Sequence, residues 1–422
     1  MVDAAVPGPH GAPGSSPASV EQHLERVLGT IEPLPSFPQP LMETLGLAAA
    51  EDVVAQVGLP GFDNSAMDGY AVRVDDVAGA SSDTPVQLPV AGEIGAGRAH
   101  LVAMSPGSAV KIMTGAPVPE GADAVVPYEW TDRGVAQVRI ERAPTPGQHI
   151  RRAGEDVASG DVVVPHGTVL GPRHLGLMAA VGRAQVRTRP RPRVVVLSTG
   201  SELRDPGTAL AHDSIHDGNS YLLAAAARAA GAIAYRVGIV PDEPRAFADA
   251  LSDQLVRADL VVTSGGVSEG DYDVVKQALS GLGTMWFGRV AMQPGQPQGF
   301  GTVGEDATPI FTLPGNPVSA YVSFQMFVLP ALRRLMGLEP EVRPTTRARL
   351  EAPITASAGR RQYVRARYER SKGGPVVRPV GGHGSHLLGS LAEANALVVV
   401  PEETTGLTAG EQVQVLLMDE EN

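Results

Sequence analysis

Between residues 191 and 337 three apolar runs each end in a loop of small residues, and no other feature constrains the fold as strongly. Residues 194–197 lead into Ser198-Thr199-Gly200-Ser201-Glu202, residues 260–262 into Thr263-Ser264-Gly265-Gly266, and residues 310–313 into Pro314-Gly315-Asn316-Pro317. Helical segments lie between them, at 221–230, closed by Gly231, and at 243–257, with Phe247, Leu251 and Leu255 at helical spacing. Alternating strand and helix predicts a doubly wound α/β domain with a mostly parallel sheet. Ligands of such sheets bind beyond the carboxyl ends of the strands, where these three loops lie. Asn316 and Pro317 read as N-cap and first residue of a helix carrying Tyr321, Phe324, Val328 and Leu332, kinked at Pro330.

The chain is 422 residues long, too long for one core, so two to four domains are expected. Its 49 glycines and 36 prolines are about a fifth of the residues, below the level that signals disorder. They mark turns between short elements. Residues 1–17, rich in Pro and Gly, read as a loose tail. A first helix starts at the capping box Ser19-Val20-Glu21-Gln22, ahead of Leu24, Val27 and Leu28, and a second is expected over 40–50. Residues 61–147 hold short alternating runs at 86–90, 109–113, 124–126 and 135–140, which predict a small β domain. A helical pattern at Leu175, Leu177, Met178 and Val181 is expected to pack back on the first helices, making that β domain an insertion. From about 340, runs at 347–350, 362–368, 375–380, 397–400 and 413–417 predict a small all-β domain.

The net charge of −12 and the lack of any long basic run speak against a nucleic-acid partner. Cysteine is absent, which excludes disulfides, thiolate catalysis and Cys-ligated metal. No run of about 18 apolar residues occurs, so no membrane span is expected and the chain reads as cytoplasmic.

Six segments can carry chemistry. The loop Phe62-Asp63-Asn64-Ser65-Ala66-Met67-Asp68-Gly69 is either a network of Asx turns or half of a ligand site. Thr114 stands where a strand runs into a turn. Arg151 and Arg152, beside Glu155 and Asp156, suit an anion site or a solvated charge cluster. Ser264-Gly265-Gly266-Val267-Ser268 suits a phosphate cradle or a plain turn ahead of a helix at 273–279. Around it lie Glu202, Asp217, Asp242 and Asp271, hard ligands that suggest Mg²⁺ bridging phosphate oxygens, although Asp242 and Asp271 also suit helix caps. Arg289, ahead of the proline-stiffened Gln293-Pro294-Gly295-Gln296-Pro297, can hold an anion. The G-x-S-x-G string at 266–270 has His383 and His386 downstream, but its wide glycine loop and their place in the C-terminal region argue against a serine hydrolase.

Residues 62–73, 112–119, 150–156, 198–203, 264–272, 292–297 and 313–320 resemble, in order and near spacing, the molybdopterin molybdotransferases, molybdenum insertases related to the E domain of gephyrin. The likeness spans residues 19–417. It implies an α/β and β multidomain protein: an α-containing region (18–60 plus 148–188), the inserted β domain (61–147), a molybdopterin-binding α/β domain (189–337) and a C-terminal β barrel (338–422). It also implies an elongated homodimer whose cleft joins the inserted domain of one subunit to the α/β domain of the other. The implied reaction consumes adenylylated molybdopterin and molybdate with Mg²⁺, releases AMP and leaves molybdenum on the dithiolene sulfurs. Implied protein partners are a molybdopterin adenylyltransferase and acceptor molybdoenzymes or their chaperones.

Matched by position, the catalytic set implied by the resemblance is Asp68, Thr114, Asp156, Glu202, Asp242 and Asp271, with Glu202, Asp242 and Asp271 toward the metal. The binding set is Arg151, Ser198, Thr199, Gly200, Ser264, Gly265, Gly266, Ser268, Arg289, Pro294, Gly295, Pro314, Gly315 and Asn316. Many relatives carry Lys-Pro-Gly-Lys-Pro where this chain has Gln293 and Gln296, so anion affinity should rest more on Arg289 and the arginine pair. The Gly270-Asp271-Tyr272 loop is also shorter than in some relatives. A non-catalytic molybdopterin-binding or scaffold protein of the gephyrin E-domain type is the alternative function.

Overall fold

The structure, a computed structural model, describes residues 16–97, 103–265, 267, 274–281 and 284–418. By its internal contacts the chain divides into two compact units, residues 38–45 with 49–187, and the remainder.

In the first unit a five-stranded sheet forms from β1 (Gly69–Val72), β2 (Val86–Ile94), β3 (Ala109–Ile112), β4 (Ala124–Pro127) and β5 (Gln137–Ile140), in the order β4-β1-β3-β2-β5. Its alternating apolar residues, among them Tyr70, Val72, Leu88, Val126 and Val138, close one core. The helix α2 (Pro172–Ala180) buries Leu175 and Met178 in a second core with Ala49, Val53 and Val164. The helix expected over 40–50 is a single 3₁₀ turn, Leu41–Thr44. Gly46, at φ 79°, turns the chain, and the Ala49 and Ala50 amides donate to Thr168 and Arg187 carbonyls instead of closing helical turns.

In the second unit α1 (Val20–Thr30) begins at the expected capping box, with Ser19 Oγ accepting from Gln22 N and Gln22 Oε1 from Ser19 N. It packs Val20 and Val27 into the core of an α/β sheet. That sheet comprises β6 (Arg193–Thr199), β7 (Ile233–Val240), β8 (Leu260–Ser264), β9 (Trp286–Arg289), β10 (Pro297–Val303) and β11 (Thr308–Leu313). The order is β7-β6-β8-β11-β10-β9, parallel from β7 to β11 and antiparallel beyond. α3 (Asn219–Ala229), α4 (Pro244–Leu255) and α5 (Val274–Ser280) make the crossovers: α3 carries the chain from β6 to β7 on one side, and α4 carries it back past β6 to β8 on the other, so the direction of winding reverses at β6. A crevice at the carboxyl ends of β6 and β8 follows from that reversal.

After β11, α6 (Pro317–Ser323) passes through a π turn, Phe324–Val328, into α7 (Leu329–Leu335). The Leu329 amide reaches back five residues to Phe324 O, and this widened turn accommodates Pro330, which has no amide to give. The C-terminal strands β12 (Thr346–Leu350), β13 (Arg361–Ser371), β14 (Gly374–Pro379), β15 (Ala396–Val400) and β16 (Gln412–Leu417) close a barrel in the order β13-β14-β12-β16-β15-β13. A short helix not expected from sequence, α8 (Leu388–Glu393), lies between β14 and β15. Among the described residues no helix is long and apolar enough to cross a membrane.

Candidate functional site

Three of the segments singled out in sequence are knitted together at one edge of the first unit. Asn64 and Ser65 pair antiparallel with Arg151 and Ile150. Ser65 N donates to Ala116 O at 3.0 Å, Gly115 N to Ser65 O at 2.8 Å, and Ala66 N to His149 O at 2.9 Å. Gly69 lets β1 press against β4, since a Cβ there would sit 2.0 Å from Val126 O.

At this edge Asp68 is exposed, and its Oδ1 accepts from both the Thr114 amide (2.7 Å) and the Thr114 hydroxyl (2.8 Å). Those donors, the amide first, hold its carboxyl below the usual carboxylate range. Oδ2 has no hydrogen-bond partner among the described residues. Asp63 is likewise held low, by the Ala153 amide (2.8 Å) and then by Arg152 (2.6 Å). The arginine pair therefore divides: Arg152 is committed to Asp63, while Arg151 and Asp156 are exposed and make no side-chain bond among the described residues.

In the second unit the ends of the central strands stand level, with Ser198 of β6 opposite Ser264 of β8, and Ser264 opposite Leu313 of β11. Gly265 N closes onto Leu313 O at 3.1 Å. Gly265 is at φ 91°, which favours glycine, and a Cβ there would lie a tight 3.1 Å from Thr199 O; Gly315 lies against it in turn. Thr199 ends β6, Gly200 follows it, and the carboxylate of Glu202 folds back over Gly200. Glu202 and Asp242 are both exposed, near the ends of paired strands. The cap position expected for Asp242 is held by Glu243, one residue later. Asn316 does precede α6 as N-cap, but its side chain makes no capping bond. Asp217 is different in kind: it is 1% exposed, and its oxygens accept from Ser198 Oγ, Ser220 N and Ser220 Oγ. Gly266, Ser268 and Asp271 lie outside the described residues. Among the described residues no group of three or more His, Asp or Glu is placed to hold a metal.

The segment from Arg289 to Pro297 is fixed at several points. Arg289 is exposed at the end of β9. Val290 bridges to Ala18, and Met292 and Gln293 pair with Arg361 and Gln362 of the barrel. After Pro294, the Gly295 carbonyl accepts from Gln298 Nε2 at 2.6 Å. Beside Gln293 and Pro294 is a cavity of about 30 Å³, also lined by Gln362, Arg365, Gly382 and His383.

Arg365 is 5% exposed; it donates to the carbonyls of Gly382 and Gly384, its Nε has no partner, and no carboxylate pairs with it among the described residues. Burial lowers its pKa. A cation buried against carbonyls alone favours an anion beside it. His383, expected in a separate C-terminal β region, lies on a loop docked on α6, where Val318 N donates to Ser385 O at 3.1 Å. The only local signal was the clustering of Gly, His and Ser at 381–386.

Comparison with known proteins covers nearly the whole chain. Residues 18–182 match the family description "MoeA N-terminal region (domain I and II)", residues 195–334 "Probable molybdopterin binding domain", and residues 347–418 "MoeA C-terminal region (domain IV)". The chain is 48% identical to molybdopterin molybdenumtransferase 2 of Mycobacterium tuberculosis over 403 residues, 94% of this chain and 98% of that one. It is 37% identical to the molybdopterin molybdenumtransferase of Haemophilus influenzae, over 89% of this chain and 92% of that one. A crystal structure titled as a molybdopterin biosynthesis moea protein from Pyrococcus horikosii superposes with a TM-score of 0.84 at 31% identity, covering 96% of this chain and 100% of that one.

Proposed function

The chain belongs to the molybdopterin molybdenumtransferase family, an enzyme family of molybdenum cofactor biosynthesis, and from that premise we propose the reaction its site performs. Adenylylated molybdopterin and molybdate are its substrates, the phosphoanhydride is cleaved with release of AMP, and molybdenum is left on the dithiolene sulfurs. The observation that carries this reading is the buried Arg365 beside the 30 Å³ cavity, a cation with no anionic partner among the described residues, next to the segment where relatives carry lysines. A small tetrahedral oxyanion suits it, with Gln293 and Gln362 as further hydrogen-bond donors.

Phosphate chemistry is assigned to the strand-end loops of Ser264 and Gly315, and Asp68 contributes an ionised carboxylate with one oxygen anchored and the other open. Glu202 and Asp242 offer the hard oxygens that Mg²⁺ takes, together with Asp271. The metal would supply charge neutralisation at the phosphoanhydride. We take the active form to be a homodimer, as the resemblance implies, working in the cytoplasm. Mixing an Asp68→Ala chain with a Glu202→Ala chain should then restore activity in heterodimers.

The deciding assay is purified chain with adenylylated molybdopterin, molybdate and Mg²⁺. AMP release with molybdenum incorporation, both lost in EDTA and regained on adding Mg²⁺, is the expected result. Neither product in an intact, folded sample would overturn the reading and leave the scaffold role.

A further inference from the structure

The two serines that stand level at the ends of β6 and β8 are hydrogen-bonded with opposite polarity. Ser198 Oγ lies 3.2 Å from Asp217 Oδ1, and a carboxylate only accepts, so the Ser198 proton is committed. Ser264 Oγ lies 2.7 Å from Asn219 Nδ2, whose other partner is Gly315 O at 2.6 Å. That second contact fixes the amide orientation, because a carbonyl can only accept and must therefore face the nitrogen. One amide hydrogen goes to Gly315 and the other to Ser264. Ser264 is thus an acceptor toward Asn219, and its own proton has no acceptor among the described residues. Ser264 is 3% exposed, so bulk water is a poor recipient.

Asn219 is the first residue of α3, and its side chain reaches the last residue of β8 and the loop that follows β11. No other side chain among the described residues bonds both. We propose that Asn219 is a positioning residue: it aims the Ser264 hydroxyl as a donor at an anionic oxygen of the bound phosphoanhydride and holds the Gly315 loop beside it. This rests on assigning the strand-end crevice to the phosphates. It adds that Ser264 is the donor of the serine pair and that its direction is set by an amide outside the predicted binding set.

Asn219→Asp is the discriminating variant, because it keeps the shape and removes both donors. The Ser264 proton then turns to the new carboxylate and is spent, as in the Ser198–Asp217 pair. At pH 8 the KM for adenylylated molybdopterin should rise about 10-fold, with kcat changed less than about 3-fold. Lowering the pH protonates the introduced carboxyl and returns one donor, which the Gly315 carbonyl takes; the other oxygen still accepts from Ser264, so the ratio of variant to wild-type KM should stay raised toward pH 5. Asn219→Ala, which removes the tie but leaves the Ser264 proton unspent, should raise KM less than Asn219→Asp at either pH.

A tie that served only to hold the loops would give the two variants the same ratio at pH 8 and let Asn219→Asp recover toward pH 5, and that result overturns the proposal, as does an Asn219→Asp KM within twofold of wild type at pH 8. Calorimetric titration with inorganic pyrophosphate reads the same point without turnover. Wild-type protein that binds pyrophosphate about 10-fold more tightly than Asn219→Asp, yet makes no AMP, sinks the reaction and spares the positioning role. Equal binding, or none by either protein, sinks the positioning role.

Discussion

Asp68-Gly69 and Asp217-Gly218 are the same dipeptide in two regions of the molecule, and they end in opposite states. After Asp217 a helix begins, and the Ser220 amide of its first turn folds back onto the carboxylate, with the Ser198 and Ser220 hydroxyls completing the set. After Asp68 a strand begins, whose backbone pairs with neighbouring strands on both sides, so the carboxylate points outward and meets only Thr114. The following element decides whether an acid becomes a cap or stays available to a ligand.

The largest effect should fall on Asp217. Asp217→Ala strands three buried donors and should cost about 3 kcal/mol in urea unfolding. Asp68→Asn should leave unfolding within about 0.5 kcal/mol of wild type, because the group is exposed, while AMP release drops on the order of 100-fold. If the two acids exchanged these outcomes, the contrast between them would fail.

His23 extends the comparison to a buried base. It is fully enclosed against Trp286 and Phe327, and burial, with the nearby Arg26 charge second, lowers its pKa to about 3. The folded value lies below the unfolded one, so between them the unfolded chain binds more protons. Stability from this group is therefore complete above about pH 6.5 and lost as pH falls toward 3, with a limiting slope of about 1.4 kcal/mol per pH unit. Unfolding of His23→Phe alongside wild type at pH 7 and pH 5 should show about 2 kcal/mol less acid loss in the variant; equal losses would mean the imidazole is not the group responsible.

The smallest effect sharpens the Asp68 side. Thr114→Val keeps the amide donor and removes the hydroxyl, so the Asp68 pKa should rise and the acid limb of the pH–rate profile should move upward. An unmoved limb would mean that the hydroxyl contributes nothing to keeping Asp68 ionised.

Local information was enough for much of the fold. The Ser19 capping box, the strand runs of the barrel and the alternation that builds the α/β sheet all act over a few residues, and each forms where its pattern predicts. The expected helix over 40–50 failed because its amides found partners more than 100 residues away, at Thr168 and Arg187, which no local propensity can register. The π turn at Phe324–Val328 is the three-dimensional answer to Pro330, whose disruptive position was visible but not its remedy.

By itself the sequence determined which residue types are present and which short-range patterns they form: the strand-end loops, the acids, the Asp68 loop and the family likeness they carry. Only the tertiary structure decided which of those groups remain available. Asp217 was removed from the pool of ligands by burial and three donors, Arg152 by Asp63, and the Ser198 proton by Asp217. Arg365 and Asn219 entered because the barrel loop and α3 bring them to groups distant in sequence. Hydrogen-bonding capacity is fixed by residue type, but whether it is already spent depends on neighbours that the chain supplies only when folded.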